Sequence, residues 1–340
     1  MTTLSLAAAR ALAIKVLEAA GVTAPNAASV ADALVAAEAD GLASHGLSRL
    51  PAYADQATAG KVAGAAVPKV TEAAPAAIMV DACDGFAFPA IAQGLALARE
   101  IAPKMGVVAV GVTNSHHFGA AAYHIEPLAR AGLVALAFGN SPAAIAPWGG
   151  STGLYGTNPI AFACPRLMPD GRDAPLVIDL SLSKVARGKI MVAAQRGEAI
   201  PEGWALDASG KPTTDAKAAL AGTMLPLGDA KGAALVLIVE LLSAALTGAQ
   251  FGYQASSFFD AKGPPPRVGQ FFLVIDPGRF SAGFASRVGT LAAAILAQPG
   301  TRLPGDRRLA ARAKAGRDGI VIPDALAQEL DRRATARAVN

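Results

Sequence analysis

Histidine is scarce in this chain of 340 residues and occurs at positions 45, 116, 117 and 124 alone. The first lies in the segment Asp40–Arg49, DGLASHGLSR, where a Ser-His pair precedes glycine. An imidazole exchanges protons near neutral pH, and the guanidinium of Arg49 can bind a carboxylate through two hydrogen bonds. Ser44, His45 and Arg49 therefore suit a small substrate whose carboxylate adjoins a reactive carbon. A helix-capping histidine beside a surface arginine is the alternative interpretation.

The adjacent histidines, His116 and His117, lie in the polar segment Thr113–Ala121, TNSHHFGAA, directly after an apolar run. A turn between a strand and a helix presents backbone N–H groups that bind phosphate. The pair could also ligate a metal, but the acid nearby in sequence is Glu126 alone, so no metal site is predicted. A turn that only satisfies the end of the strand is the remaining interpretation.

A third group of polar residues lies in a stretch, residues 131–165, that contains no charged residue. It comprises Asn140, Ser141, Thr157 and Asn158. Buried polar groups need hydrogen-bond partners, and either turns or a ligand would provide them.

Four charged residues complete the candidates. Asp179 ends the apolar run LVIDL and would either cap the next element or orient the catalytic histidine. Lys231, Arg307 and Arg308 follow glycine-containing turns and would bind phosphate or remain solvated.

Alternating strands and helices are predicted to position these side chains, because short apolar runs alternate with helical periodicity. Helices are predicted within 1–62, with Ser48 capping the third. Strands are predicted at 76–80, 107–112, 133–138, 160–164, 176–180 and 270–275. Helices are predicted at 90–105, 119–131, 185–196, 233–246 and 283–297, and a loop-rich segment is predicted at 197–231. This pattern predicts a layered α/β core, residues 63–299, and a helical lobe formed by residues 1–62 and 300–340.

Composition and missing motifs exclude several classes of protein. No G-x-G-x-x-G follows a strand, so the usual dinucleotide fingerprint is absent. The net charge of +4 without a basic run argues against nucleic-acid binding, and Glu240 interrupts the best membrane-span candidate. Two cysteines without zinc spacing and an amphipathic rather than secretory N-terminus favour the cytoplasm.

Four segments together resemble the type-2 malate/L-lactate dehydrogenase family over roughly residues 4–325. They are DGLASHGLSRLPAY, SHHFGAAAYHIEPLARAGLVAL, GGSTGLYGTNPIAFACP and LVIDLSLSKVARGK. Within the family the chain is most similar to the delta-1-piperideine-2-carboxylate and delta-1-pyrroline-2-carboxylate reductases. The resemblance implies a non-Rossmann, mixed-sheet α/β fold that binds NADPH, and a homodimer whose sites involve both subunits.

The resemblance also implies roles for individual residues. His45 would be the proton donor with Ser44 as its relay partner, and Asp179 would belong to the catalytic group. Arg49 and Thr157 would bind substrate. The NADPH site would be lined by His117, Phe118, Gly119, Ala120, Ala121, Ile178, Asp179, Leu180, Asp229, Ala230, Lys231, Gly305, Asp306, Arg307, Arg308, Leu309, Ala310 and Ala311. Relatives have histidine where this chain has Ala230, so a side-chain contact there would be lost.

The implied reaction is reduction of a cyclic imino acid by NADPH, which yields L-proline or L-pipecolate. Protonation of the ring nitrogen makes the neighbouring carbon a better hydride acceptor, and Arg49 would hold the carboxylate. A 2-hydroxyacid dehydrogenase of the malate or lactate type is the alternative, since a 2-oxo acid can use the same groups. A dicarboxylate would need a second cation, which the sequence does not identify.

Overall fold

The computed structural model describes residues 1–168, 171 and 174–335. The α-helices are α1 (Leu6–Ala19), α2 (Ala24–Ala39), α3 (Leu50–Thr58), α4 (Ala87–Met105), α5 (Ala121–Arg130), α6 (Arg187–Arg196), α7 (Ala216–Ala221), α8 (Asp229–Glu240), α9 (Phe284–Leu296), α10 (Asp306–Asp318) and α11 (Asp324–Thr335). The strands are β1 (Thr2–Leu4), β2 (Lys69–Ala74), β3 (Ala77–Asp81), β4 (Val107–Ser115), β5 (Val134–Gly139), β6 (Ile160–Cys164), β7 (Leu176–Leu180), β8 (Ala205–Leu206), β9 (Pro212–Thr213), β10 (Thr223–Met224), β11 (Val268–Ile275) and β12 (Ile320–Ile322).

The central sheet among the described residues has seven strands in the order β2-β3-β4-β11-β5-β6-β7. The pair β3 and β4 is parallel, whereas β11 runs antiparallel to both β4 and β5. A Rossmann sheet is built from parallel strands with crossover helices. The mixed order therefore confirms the predicted non-Rossmann α/β fold.

Alternation along β11 shows how the sheet separates two layers. Phe272 and Val274 face the cluster that contains Ile91 of α4 and Ile125 of α5. Phe271 points the other way and belongs to the cluster with Val236 of α8. Because successive side chains of a strand point to opposite faces, both faces of this strand are buried and its sequence reads as a continuous apolar run.

Both ends of the chain share one hydrophobic cluster. β1 pairs antiparallel with β12, and Leu34 of α2 packs in the same cluster as Leu330 of α11. Tyr53 of α3 is fully buried there. The two ends of the chain thus pack together, with Phe86 and Phe88 in the same cluster, and the division into two domains stays a prediction.

Several local predictions were wrong. The segment 197–231 contains α7 and a three-stranded sheet, β10-β8-β9, whose two-residue strands are too short to produce a periodic pattern. Thr2–Leu4 is a strand because its partner lies over 300 residues away, which local patterning cannot reveal. Ser48 does not cap α3, since its Oγ donates to Ala43 O at 2.6 Å. The predicted helix at 233–246 begins earlier, at Asp229, and continues as a π-helical turn, Leu241–Ala245.

Within the described part of the chain, helices that combine the length and apolarity needed to cross a bilayer are absent.

Candidate functional site

The Ser44-His45 pair lies in the first of two short 3₁₀ turns, Ala43–His45 and Leu47–Arg49, that join α2 to α3. Gly46 separates the turns, and a Cβ at this position would lie 2.2 Å from Glu38 Oε2. That oxygen accepts a hydrogen bond from Leu47 N at 2.8 Å. A side chain at position 46 would therefore displace the Glu38 carboxylate that orders the turn.

The three residues of the first sequence cluster are brought together. Ser44 Oγ and His45 Nδ1 are 3.0 Å apart, and Arg49 Nε donates to Ser44 O at 2.7 Å. His45 and Arg49 are half-buried and Ser44 is exposed. The bond from Nε fixes the guanidinium, and its outer nitrogens have no partner among the described residues, so they remain available to a carboxylate.

A second imidazole faces the first. The ring centroids of His45 and His117 are 5.6 Å apart, and Tyr53 Oη is 2.6 Å from His117 Nδ1. Tyr53 was not among the sequence candidates. Its spacing of four residues from Arg49 places both on one face of a helix, which was the available signal.

Desolvation keeps both imidazoles neutral at pH 7. Burial, and next the charge of Arg49, lower the pKa of His45 to about 4. Burial and the same arginine lower the pKa of His117 well below its usual value. A carboxylate bound at Arg49 would offset the positive charge and raise the pKa of His45. His45 is thus neutral before an acid binds, and a bound acid increases the fraction of His45 that is protonated.

The remaining histidines are structural. His116 Nε2 pairs with Gln56 Oε1 at 2.6 Å, and burial lowers the pKa of His116 to about 3. His124 Nε2 pairs with Phe118 O at 2.8 Å, so it holds the turn before α5. Among the described residues no group of three or more histidine, cysteine or acidic side chains could hold a metal.

Residues 257–262, here called the aromatic loop, form one wall of the site. Phe258 is buried, and its ring centroid lies 5.1 Å from that of His117. Phe259 is 49% exposed, and the guanidinium carbon of Arg49 lies 4.7 Å from its ring centroid. The loop was not a sequence candidate, because its link to Arg49 is made by the fold alone.

The polar residues of the uncharged stretch mostly serve the fold. The carboxylate of Glu240, at the end of α8, accepts from Asn140 Nδ2 at 3.2 Å, Asn158 Nδ2 at 2.8 Å and Gly252 N at 2.7 Å. Burial raises the pKa of Glu240. Thr157 differs: its N donates to Ser141 Oγ and its O accepts from Leu182 N at 2.8 Å, which places it beside the end of β7.

Asp179 caps α5 instead of orienting His45. Its Oδ2 accepts from Ala122 N at 2.8 Å, whereas the partner of His45 Nδ1 is Ser44 Oγ. The side chain keeps one side open to solvent, and the protein around it raises its pKa to about 6 by desolvation. The predicted orienting contact is therefore corrected, and Asp179 lies where the predicted cofactor segments meet.

The turn before α10 also lies beside β7. Gly305 has φ +88, and a Cβ there would lie 3.0 Å from Val177 O of β7. Arg308 Nη1 donates to Asp40 Oδ2 at 3.0 Å and to Glu126 Oε2 at 2.6 Å. These carboxylates also bind the side chain of the next arginine along the helix, Arg312.

This ion network shows which of the two predicted phosphate ligands, Arg307 or Arg308, remains available to a ligand. Although burial acts against it, hydrogen bonds from Arg312 and Arg130 lower the pKa of Glu126 to about 2. Arg308 is 89% buried and committed to two carboxylates, so its predicted binding of a phosphate is disfavoured. Arg307 is exposed.

The predicted cofactor residues therefore converge from several elements. His117–Ala121 lead into the start of α5, Ile178–Leu180 end β7, and Gly305–Ala311 form the turn and first part of α10. Leu227 N donates to Leu182 O at 2.8 Å, which brings the exposed Asp229–Lys231 to the end of β7. Arg308 Nη2 is buried without a partner among the described residues.

A neutral imidazole pair, an ordered guanidinium and a converging set of loop and helix ends suit an oxidoreductase that acts on a small acid. Residues 4–331 match the malate/L-lactate dehydrogenase family. The chain belongs to this family, which confirms the resemblance seen in the sequence.

Relatives with two kinds of substrate match nearly the full length. The chain is 55% identical to (2R)-3-sulfolactate dehydrogenase (NADP(+)) of Chromohalobacter salexigens, with 98% of each chain covered. It is 41% identical to a Delta(1)-pyrroline-2-carboxylate/Delta(1)-piperideine-2-carboxylate reductase of Pseudomonas aeruginosa, covering 97% of this chain and 98% of that one. The solved delta1-piperideine-2-carboxylate reductase of Pseudomonas syringae superposes with a TM-score of 0.92 at 38% identity, covering 98% and 100%.

Proposed function

We propose that the protein is an NADP-dependent dehydrogenase of a small 2-hydroxy acid that carries a second anionic group, of the sulfolactate type. The observation that carries the proposal is the 55% identity to the sulfolactate enzyme over 98% of both chains, against 41% for the imine reductase. A difference of this size over equal coverage favours the hydroxy-acid branch.

The geometry around His45 suits that chemistry. Arg49 binds the carboxylate through its outer nitrogens, and neutral His45 accepts the hydroxyl proton as the carbon loses hydride. Ser44 Oγ, at 3.0 Å from Nδ1, orients the ring. In the reverse direction the same imidazole returns the proton to a carbonyl oxygen.

Arg187 supplies the second cation that the sequence did not identify. Gly188, the next residue, faces the site, since a Cβ there would lie 3.9 Å from Ser44 Cβ. The half-buried Arg187 donates to Leu220 O at 3.3 Å and has no carboxylate partner in the described residues. Burial lowers its pKa. A sulfonate near this guanidinium would satisfy a charge that the protein leaves unpaired.

The residues present fit a dinucleotide, because glycine at position 305 lets the turn before α10 approach β7, where a Cβ would lie 3.0 Å from Val177 O, and the exposed Arg307 follows that turn. The turn before α5, the end of β7 and the turn before α10 would hold it, with exposed Arg307 and Lys231 near its phosphates. When bound, NADP accepts or supplies the hydride. The chain's own residues orient the substrate and move the proton.

Reduction of cyclic imino acids is the second candidate. The relatives named pyrroline- and piperideine-2-carboxylate reductases support it, as do Phe258 and Phe259, which give a planar ring an aromatic wall. His45 would then donate its proton to the ring nitrogen, with L-proline or L-pipecolate as products.

We further propose a cytoplasmic homodimer. Support for the dimer comes from α8 and the turn after it, which expose Leu235, Ile238, Leu241 and Leu246 between 40% and 59%. A contiguous apolar face of this kind is typical of a protein interface. Sedimentation at equilibrium should give twice the monomer mass.

One assay compares the two substrate classes. The protein is mixed with NADP⁺ and (2R)-3-sulfolactate, L-malate or L-lactate, and with NADPH and each cyclic imino acid, while absorbance of the reduced cofactor is followed. We expect the highest kcat/KM with sulfolactate. A higher kcat/KM with a cyclic imino acid would instead favour reduction of cyclic imino acids as the function.

The matched variants Arg187→Ala and Arg196→Ala sharpen this result. Both lie on α6, but Arg196 is exposed at the far end. Loss of one charge-assisted contact should lower kcat/KM for sulfolactate about tenfold or more in Arg187→Ala. The kcat/KM of Arg187→Ala for lactate should stay near that of wild type, and Arg196→Ala should stay near wild type with both substrates. An equal loss with both substrates would exclude Arg187 as the sulfonate ligand.

A further inference from the structure

The aromatic loop is attached to the helical lobe by a buried lysine. Lys61 follows α3 and is 2% exposed. Its Nζ donates to Ser257 O at 2.6 Å, Asp260 O at 3.0 Å and Lys262 O at 2.7 Å. An ammonium group has three protons, so each proton is matched to one main-chain carbonyl of the loop.

Gln56 completes the attachment. Its Nε2 donates to Phe258 O at 2.9 Å, while its Oε1 pairs with His116 Nε2 at 2.6 Å. Gln56 O accepts from Lys61 N at 2.9 Å, which fixes the two side chains relative to each other. Two residues of the lobe thus bind four carbonyls of one short loop.

The loop's own side chains give it shape without attaching it. Ser257 Oγ accepts from Phe259 N at 3.0 Å and Asp260 Oδ1 accepts from Lys262 N at 2.9 Å. Both are contacts between residues two apart. The Asp260 carboxylate also lies 3.9 Å from Lys61 Nζ but is half exposed. The link to the lobe therefore depends on the carbonyl bonds.

The attached segment carries the two rings that contact the site. Phe258 packs on His117, and Phe259 covers one face of the Arg49 guanidinium. A cation held over an aromatic face is restricted in orientation, and Nε of Arg49 is already bonded to Ser44 O. Together these contacts leave the outer nitrogens in one orientation toward a substrate carboxylate.

We propose that Lys61 is a positioning residue: by binding three carbonyls of the aromatic loop it holds Phe259 over Arg49 and thereby sets the affinity for the substrate carboxylate. This inference rests on the proposed function, in which Arg49 binds that group. Removal of the ammonium leaves three main-chain carbonyls without their donor, so the loop moves away from the lobe and Arg49 loses its aromatic face.

The test is chemical rescue of Lys61→Ala, measured with the substrate that wild type turns over best. We expect KM for that substrate to rise about tenfold or more. Propylammonium, which returns an ammonium to the three carbonyls, should bring KM back toward the wild-type value. The control Lys15→Ala removes an exposed lysine of α1, away from the aromatic loop, and should show neither effect. A KM within twofold of wild type, or a loss that propylammonium does not reverse, overturns the proposal.

Should Lys61→Ala not fold, Phe259→Ala decides the question at a half-exposed position. An unchanged KM would overturn the proposal, whereas a raised KM that Phe259→Tyr restores would support it. If wild type turns over none of the substrates, the proposed function fails on its own. Amide hydrogen exchange of residues 257–262 then tests the attachment: faster exchange in Lys61→Ala that propylammonium slows supports it, and unchanged exchange overturns it.

Discussion

Two clusters of polar side chains lie within this apolar chain, and they use their hydrogen-bonding capacity in opposite ways. In the Glu240 cluster, made of Glu240, Asn140 and Asn158, the carboxylate accepts from both amides and from a backbone N–H. In the His45 cluster, made of Ser44, His45, Arg49 and His117, the outer nitrogens of Arg49 have no partner among the described residues, and the cluster is open to solvent.

The difference distinguishes polar groups that stabilise the fold from polar groups that can act on a ligand. Buried polar groups that bind one another stabilise a fold and have little capacity left for a ligand. Half-buried groups whose pKa values are shifted by desolvation and that retain free donors are typical of sites that bind and transform small molecules. Both clusters looked alike in the sequence, where each is polar within apolar surroundings.

The largest expected effect is on catalysis at His45. His45→Ala should lower kcat by about 10²- to 10⁴-fold, the usual contribution of a positioned proton donor or acceptor. Binding of NADPH, followed by fluorescence titration, and thermal unfolding should stay as in wild type, since His45 is half-buried and contributes little to the core. Near-normal turnover would show that His45 does not transfer the proton, and the functional distinction between the His45 cluster and the Glu240 cluster would then lose its main support.

The next effect is on stability at Glu240. Glu240→Ala leaves three donors unsatisfied, which should lower the free energy of unfolding by about 3 kcal/mol or more. Urea denaturation measures the change, and Glu198→Ala, an exposed residue, is the matched control. The folded variant should keep its kcat. A change within about 0.5 kcal/mol, as at ordinary surface positions, would contradict a structural role for this cluster.

A smaller effect distinguishes Arg307 from Arg308, adjacent residues of α10. Arg307→Ala should raise KM for NADPH about tenfold with little change for NADH, because one charge-assisted contact to the 2′-phosphate is lost. Arg308→Ala should instead lower the melting temperature, since Asp40 and Glu126 lose a buried partner. Equal cofactor effects in both variants would show that Arg308 also binds the phosphate.

The sequence was informative where a signal is local. The buried strands and the long helices follow from periodicity, and the family follows from motifs that lie within a few residues of one another. The Ser44, His45 and Arg49 cluster is of this kind. Thr2–Leu4, Lys61 and Phe259 needed the fold, because their partners are nearly 200 or more residues away.

Asp179 and Arg308 illustrate a second limit of sequence reasoning. Their residue types were right for a charged site, but each could bind either the protein or a ligand. The structure resolves this, since Asp179 binds the first turn of α5 and Arg308 binds two carboxylates. Partner choice among charged groups is decided by tertiary packing, which a single sequence does not encode locally.

The pH dependence of kcat/KM is the most direct test of whether His45, in the His45 cluster, transfers the proton. At saturating cofactor, kcat/KM reports the ionisation of the enzyme before substrate binds. Because burial lowers the pKa of His45 to about 4, reduction of a 2-oxo acid, which needs the protonated imidazole, should fall about tenfold per pH unit from pH ~5 to ~8. Oxidation of the hydroxy acid, which needs the neutral ring, should stay level over that range. A reduction profile that is flat in wild type, or a slope that persists in His45→Ala, would contradict the account.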